Sequence, residues 1–308
     1  MGKLDNVQTY YTLYTMIRDT PRYHLKSIAK GLKISGRGHS TSNALNYVQN
    51  LYEKQISLHP NLVLRNFKNY YIRAYFLTVD DPKQLTPTFI LLSEMVSTGQ
   101  ISYMLLLAGR YDFFITSNYD LTFDEGVTCE KKSILYNPIY THPTGWGLDM
   151  EDAFRRVAES DVQKGLLERK MEGHLSWGDT EFKIFEKMKN NIQISFTKVA
   201  RMIGVAPNTV RKYYYNSILN CCDIAHYFFP KGYNYYHQSL IILESDYEKG
   251  LVQAFSKLPC TTYVFPTEEE LVLVFFHEGA NDLMFALKKL EEKGYIKYHL
   301  LLVPLYWD

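Results

Sequence analysis

Residues Lys183 to Tyr214 read KIFEKMKNNIQISFTKVARMIGVAPNTVRKYY, and the apolar spacing of this stretch predicts three short helices joined by tight turns. From Asp179 to Asn190, Phe182, Phe185 and Met188 recur at the helical period and mark one face of a first helix. Phe196, Val199, Ala200 and Ile203 do the same for a second, which Gly204-Val205 ends as a turn. Ala206-Pro207-Asn208 opens a third helix, where the missing N–H of proline costs nothing because first-turn donors have no partner within a helix. Val210, Tyr214 and Ile218 give that helix its inward face.

Subtracting 171 from these numbers finds the pattern again. Ile184, Met188, Phe196, Val199, Ala200, Ile203 and Val205 fall on Leu13, Ile17, Leu25, Ile28, Ala29, Leu32 and Ile34. Seven apolar matches in register, in a chain that is 46% apolar, point to a duplication. After Ile34 the first copy inserts about five residues (GRGHS); Ala44, Val48, Leu51 and Ile56 then face inward.

Each three-helix head is followed by alternating and β-branched sequence. After the first head, Ile72–Leu77, Ser102–Ala108 and Tyr111–Thr116 read as strands, with Phe89–Ser97 as a helix and Ser133–Tyr140 as a fourth strand. TFDEGVTCEKK stands where a second helix would fall, as a short or irregular substitute. The second copy reads strand Ser239–Leu243, helix Tyr247–Leu258, strands Thr262–Phe265 and Leu271–Phe276, helix Asn281–Lys293 and strand Tyr295–Val303. That β-α-β-β-α-β order is ferredoxin-like. NPIYTHPTGWG (137–147) reads as a boundary loop, and Leu148–Met171 as a charged connecting helix striped by Phe154, Val157, Ala158, Leu166 and Leu167. Asn61–Tyr71 and His226–Gly232 read either as basic-tipped hairpins or as linker strands entering the sheets.

The expected organisation is α+β: two winged or helix-turn-helix domains alternating with two ferredoxin-like (RAM/ACT-like) domains. The boundaries are 1–68, 69–147, a connector 148–175, 176–236 and 237–308.

The 308 residues and 22% charged content suit a soluble globular protein. The opening residues lack the apolar core of a signal peptide, and runs such as Tyr103–Ala108 and Leu271–Phe276 are far shorter than the roughly 20 residues that cross a bilayer. The expectation is a cytoplasmic protein. Cys129, Cys221, Cys222 and Cys260 form no CxxC pair and no zinc spacing with histidine, and read as buried reduced thiols. Net charge is only +1, but it alternates along the chain: +8 over 1–75, −5 over 76–170, +3 over 171–238 and −5 over 239–308. The heads are the basic parts, and local sign matters more for partner choice than the total.

A helix-turn-helix followed by a β-α-β-β-α-β domain resembles the Lrp/AsnC (feast/famine) family of transcriptional regulators. The Lys183–Tyr214 stretch is similar to that family's reading head, and LLLAGRYDFFITSN (105–118) to its Gly-x-Tyr-Asp turn between two strands. The resemblance departs in that members usually carry one copy, and in that Glu268-Glu269-Glu270 stands where the second glycine motif would fall. It implies a sequence-specific DNA-binding regulator without enzymatic activity or cofactor. Its partner would be double-stranded DNA, and its halves would pair as an intrachain pseudo-dimer, itself open to homodimer or higher assembly. The third helices would enter the major groove, whose edges distinguish all four base pairs. In the second head the contacts would be Asn208, Thr209, Arg211 and Lys212, with Lys198 and Arg201 on phosphates. In the first they would be Arg37, His39, Ser40, Thr41, Ser42, Asn43 and Asn46, with Lys26, Lys30 and Lys33 on phosphates. Gly109, Arg110, Tyr111 and Asp112 read either as an effector site or as a tight turn without ligand.

No GxGxxG, Walker loop, GxSxG or HExxH occurs, so those enzyme classes have no motif behind them. His277-Glu278, the best acid pair, reads as strand-end surface. Two alternatives stay open. Siroheme decarboxylases resemble these regulators in fold, sometimes with the unit fused in tandem, and such an enzyme would line a tetrapyrrole pocket with histidine and arginine. A helix-turn-helix can also serve as a protein-interaction module.

Overall fold

The computed structural model describes residues 3–34 and 40–307. The first head is α1 (Lys3–Asp19), α2 (Leu25–Gly31) and α3 (Ser40–Glu53), followed by β1 (Asn61–Leu64). The first sheet unit is β2 (Ile72–Val79), α4 (Leu85–Ser97), β3 (Tyr103–Ala108), β4 (Phe113–Ser117), β5 (Val127–Leu135) and β6 (Ile139–Tyr140). The connector holds α5 (Met150–Ala158). The second head is α6 (Asp179–Met188), α7 (Phe196–Ile203) and α8 (Pro207–Tyr213), which runs through a π turn into α9 (Leu219–Cys221) and then β7 (Cys222–Ala225). The second sheet unit is β8 (His237–Glu244), α10 (Glu248–Phe255), β9 (Tyr263–Pro266), β10 (Leu271–His277), α11 (Ala280–Glu292) and β11 (Tyr298–Trp307).

The stretch that decides the fold is built as its chemistry dictates. The Glu181 carboxylate accepts from Gly178 N–H at the start of α6 (3.3 Å), and Ser195 Oγ accepts from Lys198 N–H at the start of α7 (3.2 Å). Gly204 ends α7 at φ 73°, the left-handed conformation that glycine adopts without a Cβ clash. The duplication holds at the level of burial. Leu13, Ile17, Ile28 and Ala29 are buried, as are Ile184, Met188, Val199 and Ala200, while the other three matched pairs are half-buried on both sides.

β8-α10-β9-β10-α11-β11 has the expected order. The first unit lacks its second helix: TFDEGVTCEKK gives a short loop and then enters β5 at Val127. The connecting helix is also shorter than expected, because α5 ends at Ala158 and the chain then runs without regular secondary structure to Gly178. That segment is held by Arg169, whose guanidinium donates to both oxygens of the buried Glu248 carboxylate (2.6 and 2.8 Å) and to Thr267 O (2.6 Å).

One antiparallel sheet has the order β5-β2-β4-β3-β11-β8-β10-β9-β6. Its two ends, β5 and β6, are consecutive in the chain, and Tyr136 N–H donates to Pro266 O between them (2.8 Å). The sheet therefore closes on itself as a barrel, which removes exposed edges. A pseudo-two-fold axis organises it. β5–β6 starts on β2 and ends on β9; β11 starts on β8 and ends on β3. Each unit's last strand thus crosses to the other unit, and β1 pairs with β7 across the same axis. Asn61–Tyr71 combines both readings: Asn61–Leu64 is a strand paired with β7, and Phe67 and Tyr70 then bridge a two-residue turn that carries Lys68; on the other side the strand is Cys222–Ala225, just before the expected His226–Gly232. The principal core fills the barrel and the layer under α5, α10 and α11.

The heads are tied to each other. Arg22 of the first reaches the carbonyls of Ile192 and Ile194 and lies over the Phe196 ring (4.2 Å), while Gln193 donates to Pro21 O. No helix among the described residues is long and apolar enough to cross a membrane. Cys222 and Cys260 are buried, Cys221 half-buried and Cys129 exposed, so the expectation of buried thiols fails for Cys129.

Candidate functional site

A cavity of about 520 Å³ opens where the barrel mouth, the β1–β7 ribbon and the last turn of α6 meet. Alternation along the strands decides what faces it. Phe114 and Thr116 of β4, Leu240 of β8, Val272 and Val274 of β10, and Tyr263 and Phe265 of β9 point inward. Their neighbours Phe113 and Ile115 pack under α4, and Phe275 packs against Phe255 of α10.

Tyrosine dominates the wall: Tyr70, Tyr103, Tyr136, Tyr140, Tyr227, Tyr233 and Tyr263 all line it. The rings of Tyr140, Tyr227 and Tyr263 form a triangle with centroids 5.0–5.3 Å apart. Burial pushes the phenols of Tyr70, Tyr103, Tyr140, Tyr227, Tyr233 and Tyr263 above their ordinary value, because a phenolate is poorly solvated there. At neutral pH they are uncharged hydrogen-bond donors. Gln238 Nε2 donates to the Tyr233 oxygen (2.9 Å), which orients this phenol and leaves its proton for another acceptor.

Polarity gathers at the ribbon side. Arg65, Lys189 and Glu186 line the cavity there. Arg65 is anchored by Asn220 O and by Glu172 at 3.5 Å, and its buried Nε has no partner. Lys189 pairs with Glu186 (2.7 Å) on the last turn of α6. Asn66, buried, donates to Leu135 O (2.5 Å) and accepts from Ile72 N–H (3.1 Å), which fixes the entry of β2. No group of residues among those described could hold a metal ion, and no histidine is among the cavity-lining residues.

None of the residues expected to read DNA or an effector lies in this wall. Lys198, Arg201, Asn208, Arg211 and Lys212 are exposed on α7 and α8, with Thr209 half-buried. In the first head Ser42, Asn43 and Asn46 are exposed and Ser40 and Thr41 half-buried on α3, a helix with no lysine or arginine. Arg37 and His39 lie outside the described residues. In the turn Gly109–Asp112, the Asp112 carboxylate accepts from Val79 N–H (2.8 Å), Tyr111 is buried against Phe76, and Arg110 is exposed. Gly109, at φ 142°, lies so close to β11 that a Cβ would come within 2.7 Å of Leu302 Cδ2. The matching Glu268–Glu270 turn docks on β5 instead by polar contacts: Glu268 accepts from Ser133 Oγ (3.0 Å), and Glu270 pairs with Lys131. Sequence reasoning missed the cavity tyrosines because they are spread over five separate segments with no common spacing. Only their number, 26 in the chain, signalled them.

No protein-family model matches the sequence, and no curated protein matches it. Among solved structures the chain is similar to the crystal structure of the siroheme decarboxylase NirDL, with 12% identity, 99% of this chain and 92% of that chain covered, and a TM-score of 0.48. It is similar also to NirDL in co-complex with an iron-uroporphyrin III analogue, with 11% identity, the same coverage and a TM-score of 0.46. The expectations of a DNA-binding transcriptional regulator, of duplex DNA as partner and of no enzymatic activity are corrected accordingly. Both of these solved structures are of a siroheme decarboxylase, one of them in co-complex with an iron-uroporphyrin III analogue. What remains of the family expectation is coarser: an α+β fold with a large antiparallel sheet, compatible with an Lrp/AsnC-like resemblance at low identity.

Proposed function

We propose that the chain is an enzyme that binds a flat, carboxylate-bearing tetrapyrrole in the tyrosine-lined cavity and releases carboxyl groups from it as CO2. The observation that carries this reading is the cavity itself. Its volume lies in the range of small-molecule sites, and its wall combines apolar and aromatic side chains with amides and charged groups that could fix a ligand's orientation. Aromatic rings suit the faces of a macrocycle, and Arg65 and Lys189 suit carboxylates at its edge. The fit departs from the expected pattern in one respect: arginine lines the cavity but histidine does not, so the proton donor falls to tyrosine.

The residues supply what a non-oxidative decarboxylation needs. The C–C bond to the carboxylate breaks and leaves its electron pair on the ring-bound carbon; CO2 departs, and a proton must be delivered to that carbon. A water-poor site favours loss of the carboxylate charge. The protonated Tyr233 phenol, with its oxygen held by Gln238, is the donor assigned here, and solvent restores its proton. The division into heads 1–68 and 176–236, barrel halves 69–147 and 237–308, and connector 148–175 belongs to the same proposal, as does the pairing of the halves as one pseudo-dimer.

The test is incubation of the full chain with siroheme, followed by mass spectrometry of the pigment. Loss of CO2 by the wild type is expected. Tyr233→Phe should keep binding and slow that loss by about 100-fold, the low end of general-acid effects. Unaltered pigment after prolonged incubation with the wild type refutes the reading.

A further inference from the structure

A two-fold chain should carry two equivalent cavities, one at each end of the β1–β7 ribbon. The 171-residue offset maps Phe185 on Tyr14 and Lys189 on Arg18, and the ribbon pairing maps Arg65, which follows β1, on His226, which follows β7. At the second-head end, Phe185, Lys189 and Arg65 line the open cavity. At the first-head end the corresponding space is filled. Tyr14 and His226 pack ring on ring (4.7 Å), His142 from the loop after β6 stacks on Tyr14 (5.5 Å, 15°), and Phe228 packs beneath (5.1 Å). Tyr14, His226 and Phe228 are 1%, 5% and 0% exposed.

This filling is held by hydrogen bonds as well as by packing. His226 Nε2 and Ser57 Oγ are hydrogen-bonded (2.8 Å), and Ser57 Oγ also donates to Tyr227 O (2.6 Å). Both ring nitrogens of His142 meet phenols, Tyr11 at 2.9 Å and Tyr14 at 3.3 Å. His226 Nδ1 is buried without a partner, as a dry, uncharged imidazole would be.

We infer that of the two symmetry-related places only the second-head end takes the ligand, and that the last turn of α6 reads the anionic edge of the ligand, with Lys189 the residue that sets specificity for carboxylates. The matching turn of α1 is a fixed plug. Lys189 is suited to the role because its partner Glu186 is exposed, and exposed pairs contribute little. A ligand carboxylate can therefore take the ammonium from Glu186. The inference rests on the tetrapyrrole reading for the identity of the ligand; the plug does not.

Iron-uroporphyrin III titrated into the full chain, followed by its main absorption band, should reach a break at one equivalent per chain. Lys189→Glu should weaken binding by about tenfold or more, as charge reversal at a carboxylate partner does, whereas Arg18→Glu, its counterpart in the first head, should leave affinity unchanged. A break at two equivalents, equal losses in both variants, or no loss in Lys189→Glu overturns the inference; circular dichroism checks that the variants are folded. If the wild type gives no spectral change, the tetrapyrrole reading fails. The plug is then decided by hydroxyl-radical footprinting of the ligand-free protein. Tyr136 should be oxidised and Tyr14 protected, and oxidation of Tyr14 as fast as Tyr136 overturns the single-site inference.

Discussion

Replacing Arg169 with methionine removes the strap that holds the connector to the second half of the barrel, and the structure sets the size of the effect. The Glu248 carboxylate is 1% exposed and receives two charge-assisted bonds from the guanidinium and a third from Leu167 N–H (2.7 Å). Methionine leaves that carboxylate buried with a single backbone donor. Breaking a buried pair from one side costs about 3–5 kcal/mol, most of it the stranded charge. Spread over a 308-residue chain, whose unfolding entropy is about 2.1 cal/mol/K per residue, this lowers Tm by roughly 5–8 °C. A second variant separates charge from packing. Glu248→Gln in the Arg169→Met background removes the stranded charge and keeps an acceptor for Leu167 N–H, so it should recover more than half of the loss. Urea unfolding read by tryptophan fluorescence and by far-UV circular dichroism measures both variants. If Arg169→Met costs less than about 1 kcal/mol, or if the second substitution adds to the loss, the buried pair is not what holds the connector.

Three further outcomes follow from the same geometry. Burial holds the His226 imidazole down at about 3, so the unfolded chain takes up a proton near 6.5 that the folded one refuses. Stability should therefore fall as pH drops from about 6.5 towards 3, by up to about 1.4 kcal/mol per unit for this group, and His226→Gln should flatten that slope in urea titrations at stepped pH. Gly145→Ala should destabilise by about 3 kcal/mol or more by thermal melting, because the added Cβ would lie 1.8 Å from the Lys257 carbonyl oxygen, and backbone cannot step aside. Arg22→Ala should cost about 1.5–3 kcal/mol through its lost bonds to Ile192 and Ile194 and its lost ring contact, and should raise hydrogen exchange in α7 before it does so in the barrel.

The heads were legible because helical periodicity is a local signal. Seven matched apolar positions of each copy sit on the same face with the same degree of burial, as the 171-residue offset requires. The second sheet unit was legible for the same reason, with strands and helices separated by glycine and proline. The barrel was not. Its closure depends on β5–β6 and β11 each leaving their own unit for the other, and a pairing between residues 303 and 108 leaves no local trace in composition or spacing. The missing second helix of the first unit was half visible, as a weak stretch whose strand character won because Thr128, Lys131 and Lys132 find partners on β2. The functional expectation failed on the same ground. Lysine and arginine along a predicted third helix can be read from a sequence, whereas a cavity assembled from seven tyrosines in five segments exists only once the halves are paired.

Duplication in one chain changes what a two-fold fold can do. Two identical subunits must present the same residues at both ends of the ribbon, so an aromatic plug at one end would close the other as well. Here the loop 141–147 can place His142 and Trp146 against the first head without any consequence for the second. Trp146 stacks on Tyr11 (4.8 Å, 20°), and the same loop is held by Thr144 N–H to Ser256 O (2.7 Å). The filled end then serves as a rigid base, and Arg22 transmits it to the second head through Ile192 and Ile194, in the turn that follows α6. Lys189 begins that turn. On the single-site inference the heads differ in role: one head fixes the frame, and the other supplies the charged lip of the cavity. Loosening the frame should act on the lip, so Arg22→Ala should weaken iron-uroporphyrin III binding although Arg22 is not among the residues that line the cavity. Unchanged affinity in that variant would mean that the two heads act independently.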